Sequence, residues 1–364
     1  EGLKVETVTI RVSDAEPGMV TAEDIHSNSM MLLVAQNTSL TERKIARLKL
    51  YGIMEFKVYQ EEQKQEQDTE NLGIVAKKPQ NIIQSFKAFR QAFQESTEQL
   101  KDIFENVVNS NEQIDSEELL SSVDHVLKES NNGTNVVNMV YYMKSMDNET
   151  YMHSINVALI CNVFGRWLDL DPEEIDVLTL AGLLHDIGKT KIPEEILRSH
   201  DELSAADLVT LKNHTLYGYE ILKEKNIDPR IKNVALMHHE RNNGSGYPLG
   251  LLGNKIDPLA KMVAIVNTFV GMTTMRYGKS GLCPFDVIDL LETEGLHQFD
   301  TAYLFTFLER IAQSYIGENV RLSNGMTGEI IMLNSRALSK PIVKVDDTFI
   351  DLLKTTNVRV EEII

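Results

Sequence analysis

Apolar positions follow different rhythms in different parts of the chain. In VETVTIRV (residues 5–12) and MEFKVYQ (54–60) they alternate with polar ones, which predicts two strands. Between these, Pro17-Gly18 marks a turn, and TERKIARLKLY (41–51) opens on a Thr cap and repeats apolar residues at helical spacing. Residues 1–60 therefore read as a small α/β module. EEQKQEQDTE (61–70) holds no apolar residue and reads as a polar linker or helix surface. From about residue 80 the period becomes helical. NIIQSFKAFRQAFQ and EELLSSVDHVLKE are amphipathic, Asn131-Asn132-Gly133 interrupts the pattern, and 146–316 is mostly helical. Asp171-Pro172-Glu173-Glu174 is a helix start, with proline in the first turn and acids at the positive end of the dipole. The strand rhythm returns in NVRLSNGMTGEIIMLN and KPIVKVDDTF, with an Asn-Gly turn at 324–325. The pattern predicts a mainly α protein. Its expected parts are a small α/β module (1–60), linker and helices (61–145), a helical core (146–317) and a β-rich tail (318–364).

Composition narrows the function. A formal charge of -18 argues against an extended nucleic-acid surface, because phosphate contacts need clustered Lys and Arg. A small phosphate ligand at a site holding cations remains compatible with that charge. Cys161 and Cys283 lie far apart and form no ligand or redox pattern, so a reducing compartment is expected. No apolar run reaches 18 residues and no signal-peptide pattern is visible, so the expectation is a cytoplasmic protein with no membrane segment.

The chemistry concentrates in the helical core. Of 9 histidines, those from His153 to His239 cluster in one stretch of the chain. Glu149 and His153 are four apart, so a helix places them on one face. Such a pair is more often a polar face than a metal site. His185 and Asp186 stand side by side in the apolar LLHDIGKTKIP, where buried charge is costly unless paired or bound to metal. A regular helix would splay the two side chains by about 100°, so they bind neighbouring ions, or one ion if the helix end bends. A core hydrogen bond explains the pair taken alone. Lys189, one turn on, can meet a phosphate oxygen. His214 by itself reads as surface or core. His238 and His239 end the helical run RIKNVALM, where a metal role outweighs coincidence. Together five histidines and two carboxylates point to two or three divalent transition-metal ions; imidazole with carboxylate suits iron, manganese, zinc or nickel better than calcium. The loop ERNNGSGYPLG then brings Tyr247 close, its ring available for stacking on a base. Arg276 and Lys279 are candidate phosphate clamps, or solvated charges at a helix end.

These residues resemble the HD-GYP phosphodiesterases of bacterial cyclic di-GMP signalling. The matching pieces are Glu149-x3-His153, His185-Asp186-Ile187-Gly188-Lys189, His214 with Gly218, and His238-His239-Glu240-Arg241 running into Gly246-Tyr247-Pro248. The resemblance spans roughly residues 140–317. It implies an all-helical core with two or three metals, often iron or manganese, held by Glu149, His153, His185, Asp186, His214, His238 and His239. It also implies that Lys189 touches the scissile phosphate, while Gly246, Tyr247, Arg276 and Lys279 hold the dinucleotide. The expected activity is hydrolysis of cyclic di-GMP to pGpG, and to GMP on further cleavage. The chain departs from the pattern at Asn267, where the family usually carries Asp as the last ligand, and at Val270, usually an acid. A neutral carbonyl neither adds charge nor bridges as a carboxylate does. The alternative expectation is therefore a receptor for cyclic di-GMP or a partner, and a third is an HD phosphohydrolase of another nucleotide. A homodimer through the helices ahead of the core is also expected.

Overall fold

The computed structural model describes residues 7–16, 19–26, 32–34, 38, 40, 44–45, 48–49, 53–59, 80–110, 112–130, 133–143, 150–199, 203–274 and 281–364. The chain forms two compact units, Glu1–Ala76 and Lys77–Ile364. The linker expected over 61–70 lies outside the described residues.

In the first unit β1 (Thr7–Arg11) pairs antiparallel with β4 (Glu55–Tyr59), from Thr7 opposite Tyr59 to Arg11 opposite Glu55. The pattern of β4 is direct: Phe56 and Val58 are buried while Glu55 and Lys57 face solvent. A second pair, β2 (Ile25–His26) with β3 (Leu32–Val34), adds Ile25, Leu33 and Val34 to the same small core. Most of the helix expected over 41–51 lies outside the described residues; 44–45 and 48–49 are helical, and Ile45 and Leu48 are buried.

The second unit is helical, then β. Its helices are α1 (Gln80–Asn109), α2 (Ser116–Lys128), α3 (Gly133–Tyr142), α4 (Thr150–Trp167), α5 (Pro172–Leu184), α6 (Glu194–Leu197), α7 (Ala205–Lys212), α8 (His214–Leu222), α9 (Pro229–Met237), α10 (Pro258–Thr273), α11 (Pro284–Thr293) and α12 (Thr301–Ser314). A helix buried all round must be apolar all round. α4, buried without a break from His153 to Gly165, and the second half of α5, buried from Leu178 to Leu184, follow this except at His153, Ser154, Asn156, Asn162 and Thr179, which are buried polar residues. The two helices pack closely: a Cβ on Gly182 would come within 2.9 Å of Cys161 Sγ. The third central helix, α10, packs against both.

The amphipathic helices ahead of this core lie against it. Phe89, Phe93, Leu100 and Phe104 of α1 are at most 1% exposed and belong to the main core, so the apolar face of α1 is buried within its own chain. Each such side chain contributes about 1.5–3 kcal/mol by leaving water. Asp115 caps α2, accepting from Glu117 N and Glu118 N at 3.0 and 3.1 Å.

The tail forms one antiparallel sheet of order β8-β7-β6-β5-β9, from β5 (Asn319–Leu322), β6 (Thr327–Asn334), β7 (Ala337–Val345), β8 (Thr348–Asp351) and β9 (Val360–Ile363). The Asn-Gly turn joins β5 to β6, with Gly325 at φ 85°. Glu292 of α11 fastens β7, accepting from Leu338 N and Ser339 N at 2.9 and 3.2 Å. No helix among the described residues is long and apolar enough to cross a membrane.

Candidate metal centre

The α5 helix ends at Leu184. His185 caps it with helical backbone angles (φ -54°, ψ -35°), Asp186 turns away (φ -102°, ψ 9°), and a tight 3-10 turn follows over Ile187–Lys191. The bend removes the splay that a regular helix would impose, and His185 Nε2 comes within 3.2 Å of Asp186 Oδ2. Both side chains are at most 1% exposed. The turn packs against α8 so tightly that a Cβ on Gly188 would lie 1.9 Å from the His214 carbonyl oxygen and 2.4 Å from Gly218 N. Glycine at 188 is what allows α8 to bring His214 to Asp186.

Asp186 is the hub. Its Oδ1 lies 3.3 Å from His214 Nε2 and 3.6 Å from His238 Nε2. Its Oδ2 faces His185 Nε2, lies 3.8 Å from His153 Nε2, and accepts from Lys189 Nζ at 2.5 Å. Asp186, His214, His238 and His239 offer ligand atoms within 4.8 Å of one another, and so do His153, His185 and Asp186. Two ligand sets therefore share one carboxylate.

Hydrogen bonds fix which ring nitrogens are available. Nδ1 of His185, His214 and His238 donates to the carbonyl oxygens of Gly182, Leu211 and Val234 at 2.7, 2.6 and 3.0 Å. In a neutral ring this leaves each Nε2 as a bare lone pair, the arrangement that orients metal-binding histidines. His214 Nε2 and His238 Nε2 then confront each other at 3.2 Å, with Asp186 Oδ1 beside them. Acceptors so close repel unless a cation lies among them. His185 Nε2 and Asp186 Oδ1 are buried with no hydrogen-bond partner, a costly state that a metal ion would relieve. The donor set thus fits divalent transition metals.

Charge states agree with ligation. Burial pushes the His214 imidazole down to about 4, against the opposing pull of Asp186. Burial, then neighbouring imidazoles, hold His238 and His239 well below their ordinary range. Burial alone would raise the Asp186 carboxyl, but His185 and Lys189 outweigh it and keep it well below the usual carboxylate range. Neutral imidazoles around a carboxylate are the ligand-competent forms at neutral pH.

Asn267 of α10 is 9% exposed and turns Oδ1 to within 2.8 Å of His153 Nε2, so it presents oxygen where a ligand is expected. Val270, one turn on, is 1% exposed and packs in the core. Glu149, Arg276 and Lys279 lie outside the described residues.

Tyr247 closes one side. Its ring stacks one face on His239, with centroids 4.6 Å apart and planes at 16°. Burial raises its phenol, which stays protonated as a hydrogen-bond donor. Gly246 is required by packing: a Cβ there would come within 2.4–2.5 Å of Glu240 Cα, Arg241 N and the His239 carbonyl oxygen. A residue the motif reading left without a role holds this loop. Glu240, 2% exposed, accepts from Leu249 N at 2.7 Å and Leu251 N at 2.9 Å. An acid directly after a histidine pair, at the mouth of a glycine-rich loop, was the available signal.

Comparison with known proteins agrees with this geometry. A family model described as "HD domain" matches residues 116–303. A cyclic di-GMP phosphodiesterase of Pseudomonas aeruginosa is 32% identical over 204 residues, covering 56% of this chain and 49% of the relative. A 3'3'-cGAMP-specific phosphodiesterase of Vibrio cholerae is 31% identical over 166 residues, covering 46% and 38%. The chain thus spans about half or less of the length of these relatives. Among solved structures, an "HDG"Y"P" protein from Bdellovibrio bacteriovorus aligns over 84% of this chain and 99% of its own, at 19% identity and a TM-score of 0.46. The family match covers more than half of the residues and includes every described ligand of the two sets, so the chain belongs to the HD domain family.

Proposed function

We propose that the protein is a metal-dependent phosphodiesterase that hydrolyses cyclic di-GMP to pGpG. The observation that carries this reading is the single Asp186 carboxylate shared by two ligand sets, with His185 Nε2 and Asp186 Oδ1 buried and without hydrogen-bond partners. His153, His185, Asp186, His214, His238 and His239 would hold the ions, with Asn267 and Glu149 completing the set. When bound, iron or manganese, or else zinc or nickel, supplies Lewis acidity at phosphoryl oxygens and a water of lowered pKa. Lys189 keeps a cation beside Asp186, where a non-bridging oxygen gains charge in the transition state. Tyr247 holds a proton at its hydroxyl for a phosphate oxygen. Arg276 and Lys279 remain the proposed clamps on the rest of the dinucleotide. Relatives named for cyclic di-GMP and for 3'3'-cGAMP support a cyclic dinucleotide as substrate.

The test is the double substitution His185→Ala, Asp186→Ala. Hydrolysis should vanish while far-UV circular dichroism shows the fold intact; unchanged turnover ends the proposal. A substrate panel of cyclic di-GMP, 3'3'-cGAMP and other nucleotides separates this enzyme from a broader phosphohydrolase.

Asn267 favours a second reading, a receptor that binds cyclic di-GMP or a partner without cutting it, since a neutral oxygen stands beside His153. Under that reading wild-type protein is inactive and Asn267→Asp switches hydrolysis on. We also propose that the protein is a homodimer in the cytoplasm, tested for its assembly by a sedimentation mass twice the 41.2 kDa of one chain.

A further inference from the structure

Lys212 is the last residue of α7, two positions before His214, and is exposed. Its Nζ lies 5.1 Å from the centroid of the Tyr247 ring. It pairs with no carboxylate among the described residues, in a chain where 54 acids outnumber 36 Lys and Arg. The negative end of α7 accounts for a cation at this position. It does not account for a reach onto the one ring that stacks on His239.

A second cation borders the same loop. Arg241 donates to the Glu240 carbonyl oxygen at 2.9 Å, contacts Thr268 Oγ1 at 3.4 Å and lies 4.7 Å over the Phe299 ring. No carboxylate among the described residues pairs with it either. A guanidinium has five N–H donors, more than these contacts use. The rim around Tyr247 therefore carries two cations that form no ion pair among the described residues, although the Glu240 carboxylate acts on Arg241 from within the loop, and the ligand sets and Lys189 lie next to it.

A cyclic dinucleotide carries two phosphates. Only one can be cut at a time, and the other brings a negative charge to the rim, where the acidic chain as a whole would repel it. We infer that Lys212 is a specificity-determining contact that holds the second, uncleaved phosphate of a cyclic dinucleotide beside Tyr247. This deepens the phosphodiesterase reading and rests on it for the identity of the ligand.

The experiment compares metal-loaded wild type, Lys212→Ala and Lys212→Arg. Binding of cyclic di-GMP is measured by calorimetry, and kcat and KM are measured for cyclic di-GMP and for bis(p-nitrophenyl) phosphate, which has a single phosphate. Lys212→Ala should weaken cyclic di-GMP binding and raise its KM about tenfold, the scale of one charge-assisted contact. Its kcat should stay within twofold, and its kinetics on the single-phosphate ester should match wild type. Lys212→Arg should recover most of the loss. Unchanged cyclic di-GMP binding in Lys212→Ala overturns the inference, as does an equal loss on both substrates, which would place Lys212 in the metal chemistry instead. If wild type binds cyclic di-GMP and cleaves neither substrate, the phosphodiesterase reading falls. The Kd comparison then still decides Lys212.

Discussion

Glu240 offers a perturbation whose size follows from geometry. Its carboxylate is 2% exposed and receives two backbone N–H groups, from Leu249 at 2.7 Å and Leu251 at 2.9 Å. Glu240→Gln preserves the shape but turns one acceptor into an NH2 donor that faces an N–H. One charge-assisted bond is lost, the other becomes neutral, and a backbone donor is left unsatisfied, a cost of about 2–4 kcal/mol. The Tyr247–His239 stack and the Asn243–Leu252 bridge also hold this loop, but none of residues 244–252 is fully buried. Leu249 and Leu252 are 55% and 60% exposed, and the Tyr247 N bond to the His239 carbonyl oxygen is 3.3 Å long. The cost should therefore appear as local opening rather than global unfolding. Hydrogen exchange across residues 244–252 should accelerate by about 30- to 700-fold, at about 1.4 kcal/mol per tenfold, while the helical core exchanges as in wild type. Unchanged exchange in the loop would refute the assigned role. A uniform acceleration across the chain would show that Glu240 supports the whole fold.

Three further outcomes are expected. Gly188→Ala drives a Cβ to 1.9 Å from the His214 carbonyl oxygen, so the turn and α8 must separate; stability should fall by about 1–3 kcal/mol or more with loss of bound metal, and an unchanged urea midpoint with full metal retention would contradict the close approach. Metal-free protein should lose stability as pH falls from 6.5 towards 4. In that window the unfolded chain takes up a proton that His214, held at about 4, refuses when folded. That alone is about 3 kcal/mol across the whole window, and His238 and His239 act in the same direction. The depressed Asp186 carboxyl loses its contribution only below its ordinary 3.8, so it does not offset this. Urea midpoints in chelator at pH 7 and pH 5 check the sign, and a midpoint no lower at pH 5 would oppose it. Adding Mn(II) to chelator-stripped protein should raise the thermal midpoint, because an ion at a hundredfold its Kd stabilises by about 2.7 kcal/mol; no shift at saturating metal would mean that the ligand sets are not a metal site.

Much of this was legible locally. The strand of residues 54–60, the proline start of α5 and the Asn-Gly turn before β6 are set by short-range pattern and turn chemistry, and they stand where the pattern puts them. The histidines and Asp186 were legible because polar residues inside apolar helices demand a reason. Three features were not. The end of α5 at Leu184 depends on the turn packing against α8 through Gly188, a contact between distant segments. The sharing of Asp186 between two ligand sets depends on where α4, α8 and α9 converge, which no spacing encodes. The stacking of Tyr247 on His239 adds a contact that the loop sequence does not encode, since it depends on where α9 ends. The helices of 80–142, read as a region ahead of the core, pack into one cluster with it because Phe89, Phe93 and Phe104 had to be buried somewhere.

We propose that the two ligand sets joined at Asp186 hold metals for phosphodiester hydrolysis. It is tested most directly by cyclic di-GMP turnover of anaerobically purified protein, with metal counted in the same sample before and after adding Mn(II) or Fe(II). Turnover should rise with metal content until each set is filled. Bound metal and bound cyclic di-GMP without turnover, or undiminished turnover in metal-free protein, would contradict it.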